Sequence, residues 1–155
     1  MAQTARRDSA AADLTLDDLI GYNLKRAYVV VQNDFRATLG AGGLGPRVFS
    51  ALALVVQIPD ITQSELARRL GIERSGLVAI IDDLEGRGYL NRVPVPGDRR
   101  VQALAPTSSG IAAFAAALES VKRHEKRVFA TLTRDEQGQL LHLLRKFRTG
   151  SEEQA

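Results

Sequence analysis

Apolar residues in the first quarter of the chain recur at helical spacing. Leu16, Leu19, Ile20, Leu24, Ala27, Tyr28, Val31, Phe35 and Leu39 hold one stripe over many turns. The pattern predicts a long helix. It is too long to bury its whole stripe within one small domain, so part of it is expected to pack on a second subunit. Gly40-Ala41-Gly42-Gly43-Leu44-Gly45 then breaks the period. The run does not read as a phosphate-cradling loop, because no strand precedes it and no Lys-Ser/Thr follows it. It reads as a helix C-cap and turn, with Pro46 at the first position of the next helix. That helix carries Val48, Phe49, Leu52, Val55 and Val56 and stops before Pro59.

From Thr62 to Gly110 the pattern changes character. Thr62-Gln63-Ser64-Glu65 has the form of a capping box, in which Thr62 accepts from the Glu65 amide and the Glu65 carboxylate reaches back to Thr62. Leu66, Ala67 and Leu70 form the inner stripe of a short helix that Gly71 ends, with Ile72 packed in the turn. Leu77, Ile80, Ile81 and Leu84 then repeat at i, i+3, i+4, i+7, and Gly86 and Gly88 close that helix. Tyr89–Val95 and Arg100–Ala105 are rich in β-formers and are joined through Pro96-Gly97-Asp98. Two strands alone are marginal, so this hairpin must lean on the helices. The order helix, turn, helix, hairpin is that of a winged helix-turn-helix, a device for reading duplex DNA.

Thr107 is placed as the N-cap of an Ala-rich helix running to about Thr131. Thr133-Arg134-Asp135-Glu136 is a second box-like start. The last helix carries Leu140, Leu141, Leu143, Leu144 and Phe147. The fold class is therefore mainly α with a small β-hairpin wing: a winged helix-turn-helix with a helical dimerisation region. Residues 1–13 are expected to be a flexible N-terminus and 149–155 a flexible C-terminus. One domain is expected over 14–148, with dimerisation helices at 14–40 and 107–148 and the DNA-binding lobe at 46–106.

Composition agrees with this architecture. The chain has 155 residues, 45% apolar and 5% aromatic, with no Trp. Helix-on-helix packing suits that balance better than a β-sandwich. No apolar run is long enough to span a bilayer. The two arginines of the N-terminal stretch are followed by no apolar segment, so a signal peptide is not indicated. The expectation is a cytoplasmic protein with no membrane partner. The absence of cysteine excludes disulfides, thiolate zinc sites and thiol redox sensing. His124 and His142 stand in separate helices without a carboxylate cluster, so no metal is expected, and His124-Glu125 reads as a solvated helix face. No cofactor loop and no nucleophile–base pair occurs, so no catalytic residue is assigned and an enzyme is not expected.

The net charge is only +3, so its distribution matters more than its total. Between positions 87 and 100 the arginines Arg87, Arg92, Arg99 and Arg100 meet one acid, Asp98. With Leu77, Ile80, Ile81 and Leu84 turned inward, the second helix of the pair faces outward through Ser75, Ala79 and Asp82, flanked by Gly76, Val78 and Asp83. Ser75 can bond a phosphate or base edge, Val78 and Ala79 can touch a thymine methyl, and Arg74 suits a phosphate. The DNA-contacting set is Thr62, Arg74, Ser75, Gly76, Val78, Ala79, Arg99 and Arg100. No Arg, Asn or Gln stands in the middle of the face. Direct readout is expected to be modest, with more reliance on the wing and on DNA shape. Asp82 and Asp83 would repel phosphate unless nearby arginines pair with them. Asp98 is expected to accept from Arg92 or a wing arginine and so to hold the hairpin.

The stretches Leu44–Phe49, Ile61–Ile72 and Ile81–Arg92, followed by Pro96-Gly97-Asp98-Arg99-Arg100, resemble the multiple-antibiotic-resistance regulator (MarR) family. The Asp-x-Arg of the wing, Asp98 and Arg100 here, is that family's most specific mark. The resemblance covers about Leu14 to Arg148. It implies a homodimer joined by its first and last helices. It also implies a double-stranded DNA operator of pseudo-palindromic sequence, usually repression, and release by a small, often aromatic or anionic effector. The chain departs from the family at Gly76, Val78 and Ala79, where Thr or Ser and a basic residue are usual, and at Ala105-Pro106-Thr107. By family analogy Tyr22, Arg26, Tyr28, Arg47 and Phe49 are the effector-binding candidates, with Arg26 or Arg47 facing a carboxylate or phosphate. The ordinary alternative is surface arginines and core aromatics. Aromatic acids, phenolics and their coenzyme A thioesters all remain open as effectors. The rival function is a winged-helix module used only for protein contacts, for which the Asp82-Asp83 pair is the best support.

Overall fold

The computed structural model describes residues 15–39, 43–95 and 98–152, with backbone alone at 98–100 and 151–152. Among the described residues it has six α-helices and one two-stranded antiparallel hairpin. None of these helices is long and apolar enough to cross a membrane.

The first helix does not start where the stripe does. Leu16–Asp18 is a 3-10 turn, and helix α1 runs Ile20–Leu39. The Asp18 carboxylate accepts from both the amide and the hydroxyl of Thr15 at 2.9 Å, which tightens the turn. Leu19 is left extended, and the Asn23 side chain donates to the Asp17 and Leu19 carbonyls across the break. Helix α2, Pro46–Gln57, begins as expected with Pro46 in its first turn after Gly45. Gly40, Ala41 and Gly42 of the preceding turn lie outside the described residues.

Helix α3, Gln63–Leu70, is capped by Thr62, whose hydroxyl accepts from the Glu65 amide at 3.2 Å. The reciprocal half of the expected box is absent. The Glu65 carboxylate is taken instead by Arg68 and Arg69, three and four residues on. Gly71 turns left-handed (φ 62°) so that the Ile72 amide reaches the Ala67 carbonyl. Helix α4, Arg74–Gly86, ends the same way, with Gly88 at φ 71° and the Tyr89 amide on the Leu84 carbonyl.

Strand β1, Leu90–Val95, pairs antiparallel with β2, Asp98–Pro106, from Leu90 opposite Pro106 to Pro94 opposite Gln102, and the register shifts between Pro94 and Val95. The hairpin is also tied to the turn before α3. The Leu104 amide donates to the Ile61 carbonyl, and Thr62 bridges to Ala103. Leu52, Leu66, Leu77, Ile81, Leu84, Leu90 and Leu104 are fully buried together, which makes α2, α3, α4 and the hairpin one core.

Helix α5, Ser108–Val128, starts hard against the turn after α4. Thr107 caps it and donates to the Gly88 carbonyl, and the Thr107 amide donates to the Tyr89 carbonyl. A β-carbon on Gly110 would stand 1.9 Å from that same carbonyl oxygen. Helix α6, Arg134–Glu152, begins with the box expected at Thr133 and Glu136 and continues past residue 148. From residue 134 to 149 every side chain but Leu140 is exposed.

His124 is not on a solvated face. It is 1% exposed and is the buried polar residue of the described core. Helix α5 packs on α1, and Phe114, Ala117, Val121, His124 and Val128 follow one another at three- and four-residue steps on the packed side. His124 Nδ1 lies 3.3 Å from the Asp34 carboxylate on α1, and the Phe35 ring meets the imidazole edge-on at 5.2 Å. Arg127 donates to both Asp34 oxygens and to the Thr38 hydroxyl. A single carboxylate thus serves Arg127 and the imidazole of His124 one turn apart, which gives the buried histidine a polar partner. The Arg127 guanidinium, helped by His124, holds the Asp34 carboxyl below its usual pKa.

Two outcomes are expected from this packing. Gly110→Ala should destabilise the fold by at least about 2 kcal/mol, since the strain falls on backbone rather than on a movable side chain. Gly45→Ala, with open space at its β-carbon, is the comparison. Equal melting temperatures for the two variants would contradict the contact. A carboxyl with a lowered folded pKa stabilises above its unfolded value, near pH 4, and that contribution disappears as pH falls through the folded value. Asp34→Asn should therefore lose less stability than the wild type between about pH 4 and pH 2. Denaturant midpoints across that window measure the difference, and parallel curves would remove Asp34 from the joint.

Candidate nucleic-acid interface and effector groove

The inner stripe of α4 decides what the helix shows outside. With Leu77, Ile80, Ile81 and Leu84 buried, Arg74, Ser75, Gly76, Val78, Ala79 and Asp82 are exposed on one surface. Arg74 donates to the Ser64 hydroxyl at 2.6 Å and so links the start of α4 to α3. Thr62 is half-buried at the other end of the helix pair, its oxygen engaged in capping. On α3, Arg69 and then Arg68 hold the Glu65 carboxyl below its ordinary pKa.

The acids of α4 are not left facing outward alone. Asp83 pairs with Arg87 at 3.0 Å. Arg92, on β1, bonds to both Asp82 and Glu85, whose spacing puts them on adjacent turns of α4. Asp82 above all raises the Arg92 pKa further, so the guanidinium keeps its charge throughout. The described partners of Arg92 belong to α4, because the strand lays its guanidinium across that helix, and the expected pairing of Asp98 with Arg92 or a wing arginine falls outside the described side chains. The side chains of Asp98, Arg99 and Arg100, with Pro96 and Gly97, lie outside the described residues. The positive run from 87 to 100 is also smaller than the sequence suggests, since Arg87 and Arg92 are offset by acids of α4.

A groove of about 360 Å³ opens between α1 and the start of α2, lined by Tyr28, Gln32, Arg36, Arg47 and Val48 with Gly45 and Pro46. It contains two of the five effector candidates, Tyr28 and Arg47. Tyr28 accepts from Gln32. Arg36 and Arg47 have no acidic partner among the described residues. Phe49 instead turns inward, with its ring 5.9 Å from Phe35 and stacked at 5.8 Å on Phe114. Tyr22 and Arg26 lie nearer the start of α1 and engage each other through a 3.3 Å hydrogen bond and a ring contact. Gln32 and Arg36, which no motif in the sequence singles out, line the same groove. Their signal was the four-residue step from Tyr28, which places all three on one side of α1. A second, larger groove, about 830 Å³, lies between α5 and α6 and mixes Phe129, Leu132, Leu140, Leu141 and Leu144 with Lys122, Lys126 and Arg134.

Comparison with known proteins identifies this arrangement. The model of the MarR family matches residues 42–101. A candidate transcriptional regulatory protein for the hcr operon of Thauera aromatica is 30% identical over 135 residues, 86% of this chain and 81% of its own. The transcriptional repressor CouR, solved on a 23-mer DNA duplex, is 38% identical and aligns with a TM-score of 0.81 over 93% of this chain and 99% of its own. CouR bound to p-coumaroyl-CoA is 39% identical, with a TM-score of 0.77 over 86% of this chain and 94% of its own. The helix pair with its hairpin wing, and the likeness to these regulators along nearly the whole chain, establish that the chain belongs to the MarR family of transcriptional regulators.

Proposed function

We propose that the protein is a homodimeric repressor whose α4 helices and wings read a pseudo-palindromic operator, and that an anionic aromatic effector releases it. The observation that carries this reading is the pairing of Asp82 and Asp83 with Arg92 and Arg87. It removes the main electrostatic objection to laying α4 against phosphate. It equally removes the best support for a module that only contacts proteins. Likeness to CouR on DNA supports the duplex as partner.

The dimer is supported by large apolar side chains that stand exposed among the described residues. Ile20 is 86% exposed and Leu143 60%, and Leu16, Leu19, Leu141 and Leu144 are exposed with them. Two such subunits would set their α4 helices about one DNA turn apart, roughly 34 Å. The groove at Tyr28, Arg36 and Arg47 is the candidate effector site. Two arginines without acidic partners among the described residues suit an anion, and a groove open to solvent leaves room for a ligand longer than its pocket. With p-coumaroyl-CoA on CouR, these features favour an aryl coenzyme A thioester over a free aromatic acid. Release requires that the effector bind better to a dimer geometry that fits the operator poorly.

Selection from random duplex DNA at fixed moderate salt tests the reading. An enriched inverted repeat is the expected result, and no enrichment would leave the protein-contact alternative. On the selected duplex, Arg100→Ala should weaken binding and reduce the slope of log K against log salt by about one. An unchanged slope would take the wing off the phosphates. Titrating p-coumaroyl-CoA into the complex should release DNA, whereas coenzyme A alone should not. Equal DNA affinity with and without the bound thioester would exclude this class of effector.

A further inference from the structure

We propose that Gly76 determines specificity in the DNA-reading helix, its missing side chain letting α4 lie closer to the duplex than any larger residue would. The inference rests on the proposed role of α4 as the reading helix. It arises from a contrast among the glycines. Gly71 and Gly88 adopt left-handed backbone, at φ 62° and 71°, and Gly110 packs where a β-carbon would collide with the Tyr89 carbonyl. Each of these is required by the fold. Gly76 is not. Its backbone is ordinarily helical, and nothing lies within 4 Å of where its β-carbon would be. Of the other helical glycines with open surroundings, Gly86 closes α4, and Gly21, Gly138 and Gly150 lie on α1 and α6.

Glycine inside a helix costs stability relative to alanine, because the chain gives up more conformational freedom. The fold of the chain obtains nothing in return at position 76. The return is therefore sought outside the chain, on the exposed surface that Gly76 shares with Ser75, Val78 and Ala79. The one long cationic side chain beside it, Arg74, is held back on the Ser64 hydroxyl at the helix entrance, and the middle of the face has none able to bridge a gap to a base edge. Val78 and Ala79 can act only by apolar contact, at the distance of a thymine methyl. Short side chains need a close helix, and a β-carbon at 76 would point toward the N-terminal end of α4 that enters the groove first. Distance of approach does here what reach does elsewhere.

The test separates stability from recognition, which move in opposite directions. In the full-length protein, Gly76→Ala should raise the melting temperature by roughly 1–3 °C. It should also weaken binding to the duplex selected by the wild type by about tenfold or more, while affinity for unrelated duplex changes little. Gly76→Ser, which returns a hydrogen-bonding group, should fail to rescue the selected site. Either variant binding that site as tightly as the wild type would overturn the inference and leave the DNA-binding reading standing. A wild-type protein that enriches no sequence would overturn both.

Discussion

Every outward feature of this molecule depends on how α4 is held from within. Leu77, Ile81 and Leu84 are fully buried with Leu52 of α2, Leu66 of α3 and Leu90 and Leu104 of the hairpin. Burying one such side chain contributes about 1.5–3 kcal/mol, whereas an exposed ion pair contributes at most about 1 kcal/mol. The apolar stripe therefore fixes the rotation of the helix about its axis. The ion pairs around it only adjust what the presented face carries. A two-residue change of phase would put Leu77, Ile81 and Leu84 on the surface in place of Ser75, Ala79 and Asp82. The identity of the reading face is in this sense a property of the core.

Within that frame, charge is distributed rather than accumulated. Arg87 and Arg92 balance acids of α4, and Arg68 and Arg69 share Glu65 on α3. The arrangement joins elements as well as neutralising them. Arg92 spans β1 and two turns of α4, and Arg74 spans α4 and α3. Helix pair and hairpin are thereby tied to one another by side-chain contacts as well as by the core. Asp34 plays the corresponding part in the helical region, where it joins α1 to α5 through His124 and Arg127.

Periodicity made most of the fold legible, because buried stripes write themselves into spacing. The helix pair, the hairpin and the caps at Thr62, Thr107 and Thr133 were all readable from local residue types. The failures have a common physical origin in side chains that have two possible partners. Glu65 was assigned to the cap by its position, but two arginines lay equally within its reach. Arg92 stands within reach of both the turn and α4, and the strand lays its guanidinium on Asp82 and Glu85. His124 was hidden by its neighbours, since Lys122, Arg123, Glu125 and Lys126 make the segment look solvated. Only the step from Ala117 through Val121 puts the histidine on the inner side. In the candidate groove, the two residues to which family analogy points, Tyr28 and Arg47, line the wall. Phe49 was lost to the core because an aromatic at a half-buried position fits a pocket and a ring cluster equally well.

The bareness of α6 has a consequence for the protein as a population. Nearly all its side chains face solvent, and a single helix of 19 residues is marginal without tertiary support. If a second copy covers it, as proposed, completing the fold and associating become a single event governed by mass action. Stability then scales with copy number. On the proposed dimer, a scarce regulator would be partly unfolded as well as unbound, and exposed to proteases for that reason. Abundance and lifetime would rise and fall together, so that dilution at cell division erodes the pool faster than it halves it.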